Sequence, residues 1–364
     1  MQQSPTGASP KRKAVVGYFV AGQYPAGFVD GDKDIQIRSF REAGLDVIEI
    51  PWNAPDVGSF IQPKPGDDHP PIDVAYWGSP WDDWLDMEAF LRLGSVLDKL
   101  HIPQINARSV VRLTHDKSYL TRLARENVEV MPTKIMRAFH RGKVRDVQEL
   151  YTVNGSLHEV IVVKPSISGG GLGTGAFSID HAADALRLIE EIHRCGKDVV
   201  VQPLDERIFH ERETAIVVVD GVPTHGWSKK SNIVVNADPN APKKFHPDRR
   251  PHVLTEADVA WGKQMWDATK KMSGMRTGER AAIRFDRLGD PEFAVDGKLR
   301  NVTLLEIEGI APVKGYAIDG MDPRALKAFT DSMAQVATAS RDLQLAGERP
   351  SMKRGVHFGG GLSF

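Results

Sequence analysis

The sequence contains a single cysteine, Cys195, among its 364 residues. One thiol excludes the framework of intrachain disulfides that is typical of small secreted proteins. This shortage of cysteine favours a reducing compartment, so we expect a cytoplasmic protein. Cys195 follows an amphipathic stretch, in the segment HRCGKD, and we interpret it as a structural residue.

Long apolar runs and an excess of charge of one sign are also missing. No stretch approaches the ~20 apolar residues of a membrane-spanning helix, and the polar first ten residues, MQQSPTGASP, do not resemble a secretory signal. The net charge of −1 argues against a nucleic-acid-binding protein, which usually has a basic excess. We therefore expect a soluble globular protein of two or three subdomains, with neither membrane nor nucleic acid as a partner.

Glycine, in contrast, is concentrated in one stretch, VVKPSISGGGLGTG, at residues 162–175. A β-branched run ends at Lys164, and glycines then occupy five of the seven positions from Gly169 to Gly175. This pattern predicts a strand followed by a loop whose exposed backbone N–H groups can bind phosphate. The loop is neither a Walker A motif nor a dinucleotide fingerprint, because the lysine precedes the glycines. A flexible glycine turn without a ligand is the alternative.

The first third of the chain alternates short apolar strands with helical patterns. Strands are predicted at Ala14–Val20, Asp46–Ile50 and Ile72–Trp77, and helices at Lys33–Ala43 and Ser79–Leu100. This alternation predicts an open parallel α/β layer. Trp81 and Trp84 are packing residues or ligand contacts, since ligands bind at the carboxyl ends of such strands.

Acidic residues mark the end of two later strands, in RFD and LLEIEGI. In the second strand, alternation predicts that Leu305 and Ile307 share one face and that Glu306 and Glu308 share the other. Together with Asp286, these carboxylates supply the hard oxygen ligands that Mg²⁺ prefers. An ordinary solvated surface is the alternative. The polar, basic segment Asn236–Pro251 is either a surface excursion or a lid over phosphate.

These segments follow one another in a distinctive order: a DK helix, the KP strand, the glycine loop, QPLD, RET, RFD and LLEIEGIAP. This order resembles the ATP-grasp superfamily over residues 104–340. The layer before this region resembles the domain that precedes the grasp fold in D-alanine–D-alanine ligase and glutathione synthetase. The segments PWDDW and INARSVVRLTHDKSYL are most similar to the branch that contains D-cycloserine synthetase and related amide-forming enzymes. The resemblance implies an α/β fold in which an N-terminal open parallel α/β layer precedes a two-lobed, α+β ATP-grasp fold.

The resemblance also implies a division of the chain. The expected units are a disordered tail (1–13), the N-terminal layer (14–113), a small lobe (114–204), a large lobe (205–345) and a C-terminal tail (346–364).

Roles for individual residues follow from the resemblance alone. Nucleotide phosphates would be bound by two lysines and a flexible loop, namely Lys117, Lys164, Ser168, Gly169, Gly170, Gly171 and Gly173. The hinge that binds adenine would be Gln202, Pro203 and Leu204, and the ribose hydroxyls would bind Asp205 or, as the better match, Glu213.

Further roles concern catalysis. Arg284 would stabilise the transferred phosphoryl group, and Asp286, Glu306 and Glu308 would bind Mg²⁺, which Mn²⁺ could replace. D-alanine ligases have asparagine where this chain has Glu308, but glutamate is common there elsewhere in the superfamily. Lys230, with His225 and Lys229, would lie near the γ-phosphate, and we predict that Lys230 is catalytic together with Lys164 and Arg284.

The implied activity is that of an ATP- and Mg²⁺-dependent ligase. It would activate a small carboxylic acid as an acylphosphate, which an amine then attacks to form an amide or a ring, as in natural-product biosynthesis. The alternatives are a kinase with this fold and a non-catalytic ATP-binding regulatory protein. The resemblance to this family also implies a homodimer. Substrate contacts are expected from Tyr18–Gln23, Ser79–Trp84, Arg284 and Gly309–Gly315, in which Lys314 meets either an anionic substrate group or solvent.

Overall fold

The computed structural model describes residues 12–24, 30–126, 128–138, 146–239, 248–310 and 312–347. The two predicted tails therefore lie almost entirely outside the described residues. So do 240–247, which form the middle of the predicted lid. No helix in the described ranges is long and apolar enough to cross a membrane.

Four parallel strands form the first sheet, as the alternating pattern predicts. In chain order this layer consists of β1 (Val15–Val20), α1 (Gly31–Glu42), β2 (Asp46–Pro51), α2 (Val57–Ile61), β3 (Val74–Ser79), α3 (Met87–Lys99) and β4 (Gln104–Ile105). Two short helices follow, α4 (Arg108–Thr114) and α5 (Tyr119–Leu123). The strand order is β2-β1-β3-β4, and both β1 and β3 are buried along their whole length.

The predicted helix Ser79–Leu100 is wrong in its first part. A single 3₁₀ turn occupies Asp83–Leu85, and α3 begins only at Met87. The Asp86 carboxylate accepts a hydrogen bond of 2.9 Å from the Ala89 N–H and so caps the helix there. The acidic pair Asp82 and Asp83 therefore precedes the helix and does not lie in its first turn.

Four antiparallel strands form the second sheet, in the order β5-β10-β8-β9. This part of the chain contains β5 (Lys134–Met136), α6 (Val147–Tyr151), the small hairpin β6 (Thr152–Val153) and β7 (Ser156–Leu157), β8 (Val160–Pro165), β9 (Gly175–Ser178), α7 (Ala182–Arg194) and β10 (Val199–Pro203), with a 3₁₀ turn at Ile179–His181. The apolar face of α7 packs on the sheet through Ala185, Leu188, Ile189 and Ile192. Cys195, predicted to be structural, is an exposed residue directly after α7.

Five antiparallel strands form the third sheet, in the order β13-β12-β11-β14-β17. The elements are α8 (Arg207–His210), β11 (Glu213–Val219), β12 (Val222–Lys229), β13 (Arg249–His252), α9 (Glu256–Ser273), β14 (Ala282–Leu288), the ribbon β15 (Glu292–Phe293) and β16 (Leu299–Arg300), β17 (Thr303–Glu308) and α10 (Pro323–Leu345). The predicted turn at Asp220-Gly221 joins β11 to β12, and both residues have positive φ, 50° and 87°. Such angles suit a tight hairpin.

The C-terminal helix connects the third sheet with the first. α10 packs against α1, β1 and β3, and one apolar cluster includes Phe329 of α10, Tyr76 of β3 and Val217 of β11. The last element of the chain thus fixes the first layer beside the third sheet.

Candidate active site

A cleft of about 720 Å³ lies between the second and third sheets. Most of the predicted site residues line it, although they are distant in sequence: Lys117, Lys164, Ser168, Gly170, Gly171, Gln202, Pro203, Leu204, Asp205, Glu213, Arg284, Asp286, Glu306 and Glu308. The packing of the sheets therefore brings the predicted phosphate, hinge and metal residues to one cavity.

Three predicted site residues are not part of the cleft wall. Gly169 lines a smaller neighbouring cavity next to Trp84 and Asp83, and Gly173 does not line either cavity. Lys230 is exposed, and the structure brings its neighbour Lys229 to the cleft instead. Lys229 is the last residue of β12, where it pairs with Glu213 across the strands at 2.7 Å.

The glycine loop forms two consecutive tight turns. The Leu172 N–H donates to Gly169 and the Thr174 N–H to Gly171, at 3.1 and 3.2 Å. Gly170, Gly171 and Gly173 have φ values of 60°, 71° and 67°, which disfavour other residues. At Gly173 an added Cβ would also lie 3.1 Å from the Pro165 ring. The sequence therefore requires glycine here to let the backbone curl beside the cleft.

Lys117 connects both walls of the cleft. Asp116 fixes the turn before α5 by accepting from the Ser118 N–H at 2.8 Å. The Lys117 Nζ then lies 3.0 Å from Glu306 and donates to the Ser168 carbonyl at 2.9 Å. Burial opposes its charge, but Glu306 and Glu308 outweigh this effect and raise the pKa of Lys117. It remains an ammonium at neutral pH.

Lys164 differs from Lys117 because it makes no ion pair with a described residue. Burial lowers the pKa of Lys164, and the nearby charge of Glu306 offsets this only in part. An anion bound in the cleft would remove part of this cost.

The hinge at the end of β10 has some of its polar groups already engaged. The Gln202 side-chain NH₂ donates to Thr133 at 2.9 Å, and the Leu204 N–H donates to Val160 at 3.0 Å. Asp205 is held by the Arg207 guanidinium at 2.6 Å. Adenine recognition through the Leu204 N–H would therefore require that bond to open.

The predicted metal ligands lie on neighbouring strands of the third sheet. Asp286 stands opposite Glu306, and Arg284 stands opposite Glu308. The Arg284 guanidinium binds Asp286 through two bonds of 2.7 Å and lies 3.3 Å from Glu308. Arg284 is thus oriented within the sheet by two of the three carboxylates.

The predicted face alternation in β17 is wrong at Leu305. Asp286 pairs with Glu306 but the next residue, Arg287, pairs with Leu304, so Leu305 is an extra residue in β17. Leu304 and Ile307 face the core, whereas Leu305 lines the cleft with Glu306 and Glu308. A bulge breaks the period of two and adds an apolar side chain to the acidic wall.

The pKa values of the three carboxylates are shifted in different directions. Burial and the charge of Glu306 raise the pKa of Glu308 to about 7. Burial also acts against Glu306 and Asp286, but Lys117 and Arg284 respectively more than offset it, so both pKa values fall below normal. Among the described residues no group of three acidic, histidine or cysteine side chains is arranged to hold a metal. The donor chemistry fits Mg²⁺, but each carboxylate would have to exchange a cationic side chain for the ion.

Comparison with known proteins adds information on the fold. No family model matches the sequence, and no curated protein matches it by sequence. Among solved structures, the chain is similar to the D-cycloserine synthetase DcsG, with 19% identity, a TM-score of 0.71, and coverage of 89% of this chain and 99% of that one. The chain has the ATP-grasp fold.

Two further ATP-grasp structures agree with this assignment. A D-alanine–D-alanine ligase from Bacillus anthracis, solved with ATP, has 14% identity and a TM-score of 0.56, covering 93% and 100% of the two chains. The ATP-grasp ligase PsnB, solved with a minimal precursor, has 14% identity and a TM-score of 0.51, covering 90% and 99%. The predicted fold class is confirmed. In the terms of this fold, we call the second sheet with α6 and α7 the small lobe, and the third sheet with α9 the large lobe.

A segment of the large lobe also reaches the small lobe. Val235 forms a bridge with Ala176 of β9, and the Asn236 N–H donates to the Ala176 carbonyl at 2.7 Å. Residues 231–234 and 237–239 line the cleft. The described start of the predicted lid therefore lines the cavity, while 240–247 lie outside the described residues.

Sequence reasoning missed the part of the large-lobe wall built around Trp227. Its ring centroid lies 5.3 Å from the guanidinium groups of both Arg249 and Arg284 and 5.8 Å from the Lys229 Nζ. Arg249 reaches this position because β13 pairs with β12. The long connection between these strands hides the pairing in the sequence, so periodicity gave no signal for it.

Lys314 was predicted to meet either an anionic substrate group or solvent, and both predictions are wrong. Lys314 meets neither solvent nor the cleft, since it is fully buried and its Nζ donates to the Tyr76 hydroxyl at 2.7 Å. Burial lowers its pKa to about 8. The Asp32 carboxylate accepts hydrogen bonds from the N–H groups of Lys314, Gly315 and Ala317. This segment therefore joins the first sheet to the large lobe.

Proposed function

We propose that this protein is an ATP-dependent carboxylate–amine ligase that works through an acylphosphate. The observation that carries the proposal is the cleft between the lobes, in which Lys117 and Lys164 face Arg284 and three carboxylates. Transfer of a phosphoryl group needs positioning and neutralisation of charge rather than a protein nucleophile. ATP-grasp ligases among the similar structures support the assignment.

In the proposed reaction, a substrate carboxylate oxygen attacks the γ-phosphorus and ADP leaves. The amine then attacks the acyl carbon, the bond to the phosphate oxygen breaks, and the amine loses its proton. Lys164 and the glycine loop would bind the phosphates, and Arg284, oriented by Asp286, would stabilise the transferred group. Asp286, Glu306 and Glu308 would hold Mg²⁺, or Mn²⁺ in its place, which supplies neutralisation of the phosphate charge.

The proposal also includes assignments for individual residues, for the division of the chain and for the assembly and location of the protein. They comprise the ribose contact of Glu213 and the adenine contact of the Gln202 to Leu204 hinge; Lys230, which lies outside the cleft wall, is not included. They also include the division of the chain at residues 113 and 204, a homodimer, a cytoplasmic location and a role in natural-product biosynthesis.

A trapping experiment tests the activity. The protein is incubated with ATP, Mg²⁺, a panel of small carboxylic acids and hydroxylamine, and ADP and hydroxamate are measured. We expect release of ADP that depends on the acid, with a matching amount of hydroxamate. A stable phosphorylated product without hydroxamate would indicate a kinase. Binding of ATP without release of ADP with any acid would contradict both enzymes.

A further inference from the structure

Five basic side chains line the cleft, and three of them are paired with carboxylates. Lys117 pairs with Glu306, Lys229 with Glu213, and Arg284 with Asp286. The other two, Lys164 and Arg249, form no ion pair with any residue in the described ranges. The proposed function assigns Lys164 to nucleotide phosphate but leaves Arg249 without a role.

Arg249 is built into the cleft wall. It stands opposite Lys229 in the pairing of β13 with β12, so both side chains project from the cleft face of the sheet. Its guanidinium lies 5.3 Å from the centre of the Trp227 ring. The Nε of Arg249 is buried, and no acceptor for it exists among the described residues. A buried N–H without a partner is costly unless a ligand supplies the acceptor.

The charged neighbours of Arg249 differ from those of Lys164, to which the proposed function assigns the nucleotide phosphates. The charged groups that act on Lys164 are Glu306, Lys117, Glu213 and Glu308, all of which line the cleft. Burial and the charge of Arg284 lower the pKa of Arg249, whereas Asp32 and Asp30 raise it. Both aspartates belong to the first layer, so Arg249 lies on the side of the cleft that faces this layer.

An apolar surface lies next to the Arg249 guanidinium. Trp227 and Val313 pack together, and Trp81 of the first layer packs against them and lines the same cleft. The Trp81 indole N–H is directed to Asp30 at 3.4 Å. A small organic acid whose carbon chain rests on the tryptophans would place its carboxylate at the arginine.

We propose that Arg249 binds a carboxylate of the small-molecule substrate between Trp81 and Trp227, and that it selects for substrates carrying that group. This inference rests on the proposed function for the reaction that follows binding. A charge-assisted bond from a guanidinium to a carboxylate is strong and directional, which suits arginine better than lysine. The neighbouring Arg250 provides a matched control, because it points away from the cleft and pairs with Asp248.

The test measures binding to the full-length chain by calorimetry. The probes are ADP with Mg²⁺ and, at saturating ADP, acetate, D-alanine, D-serine and succinate. The proteins are the wild type, Arg249→Gln, Arg249→Lys and Arg250→Gln. We expect at least one carboxylate to bind the wild type and Arg250→Gln equally. Its Kd should rise about 10- to 100-fold in Arg249→Gln and less in Arg249→Lys. The Kd of ADP should stay unchanged in all four proteins, which also shows that the variants fold.

Three results would overturn the inference: equal carboxylate binding by Arg249→Gln, no binding of any of these carboxylates to the wild type, or a large loss of ADP affinity in Arg249→Gln. The last result would assign Arg249 to the nucleotide. Failure of the proposed function looks different, since the wild type would release no ADP in the hydroxylamine experiment while Arg249 still controlled carboxylate binding.

Discussion

Two polar clusters lie against the large-lobe sheet, and they differ in what they face. The cleft cluster contains Lys117, Arg284, Asp286, Glu306 and Glu308 and lines a cavity of about 720 Å³. The seam cluster contains Asp32, Tyr76, His225 and Lys314 and is buried between the first layer, the large lobe and α10. In the seam these four side chains form hydrogen bonds with other protein groups, and none of them lines the cleft.

The two lysines illustrate the difference. Both are nearly inaccessible, with exposed fractions of 6% for Lys117 and 0% for Lys314. Lys117 contacts a carboxylate and its pKa is raised, whereas Lys314 contacts a tyrosine hydroxyl and burial lowers its pKa to about 8. Burial therefore does not distinguish a site residue from a structural one, but the partner and the adjoining cavity do.

The largest expected effect is in the cleft. Glu306→Gln removes the charge that opposes Lys117 and one proposed metal ligand, so we expect the rate of ADP release to fall about 100- to 1,000-fold. The Lys117–Glu306 ion pair is lost, but so is the repulsion between Glu306 and Glu308, so the free energy of unfolding should change less than in the seam. Glu292→Gln, on the exposed β15, is the control and should keep full activity. Unchanged turnover in Glu306→Gln would contradict the metal assignment.

The seam should respond in the opposite way. Asp32→Asn weakens the acceptor of the N–H groups of Lys314, Gly315 and Ala317 and removes the negative charge near Lys314, and we expect a loss of about 3 kcal/mol in the free energy of unfolding. ADP should bind to the folded variant as it does to the wild type. Urea unfolding and calorimetry measure these quantities, with the exposed Asp34→Asn as control. A loss of ADP affinity at unchanged stability would place Asp32 in the active site.

The seam also predicts a dependence on pH. Burial and the charge of Lys314 lower the pKa of His225 to about 4, although its bond to the Lys314 carbonyl and the charge of Asp322 act in the other direction. The unfolded chain then binds the extra proton between about pH 6.5 and pH 4, so stability falls as pH falls through this window. From pH 7.5 to pH 5 the loss due to His225 should be about 2 kcal/mol.

Urea unfolding at both pH values checks this prediction. His225→Gln should lose about 2 kcal/mol less than the wild type over the interval, and His210→Gln, at an exposed position, should behave as the wild type. An equal loss in all three proteins would mean that His225 is not held neutral by the seam.

The smallest effect is expected at Lys164. Lys164→Met removes a phosphate partner, so the Kd of ADP should rise about tenfold. Stability should not decrease, because burial of the ammonium is unfavourable in the free protein. Calorimetry with ADP checks the first point and thermal unfolding the second, with the exposed Lys99→Met as control. A less stable variant with normal ADP affinity would mean that Lys164 stabilises the fold and does not bind the nucleotide.

Much of the fold was predictable because it depends on local patterns. The alternation of strands and helices around Asp46–Pro51, the glycine loop after Lys164 and the turn at Asp220-Gly221 are confirmed. The predictions failed where a single residue interrupted a local pattern. Asp86 caps α3 later than the acidic pair suggested, and the extra residue Leu305 reversed the facing of part of β17.

The sequence by itself determined which residue types stand at the ends of strands, and hence the glycine loop and the acidic wall. Only the tertiary structure decided which basic side chains lie beside this loop and this wall. It brought Lys229 rather than Lys230 to the cleft, buried Lys314 in the seam, and placed Arg249 beside Trp227. The reason is physical: these positions depend on pairing between distant strands and on packing of α10 over the first sheet, which leave no period in the sequence.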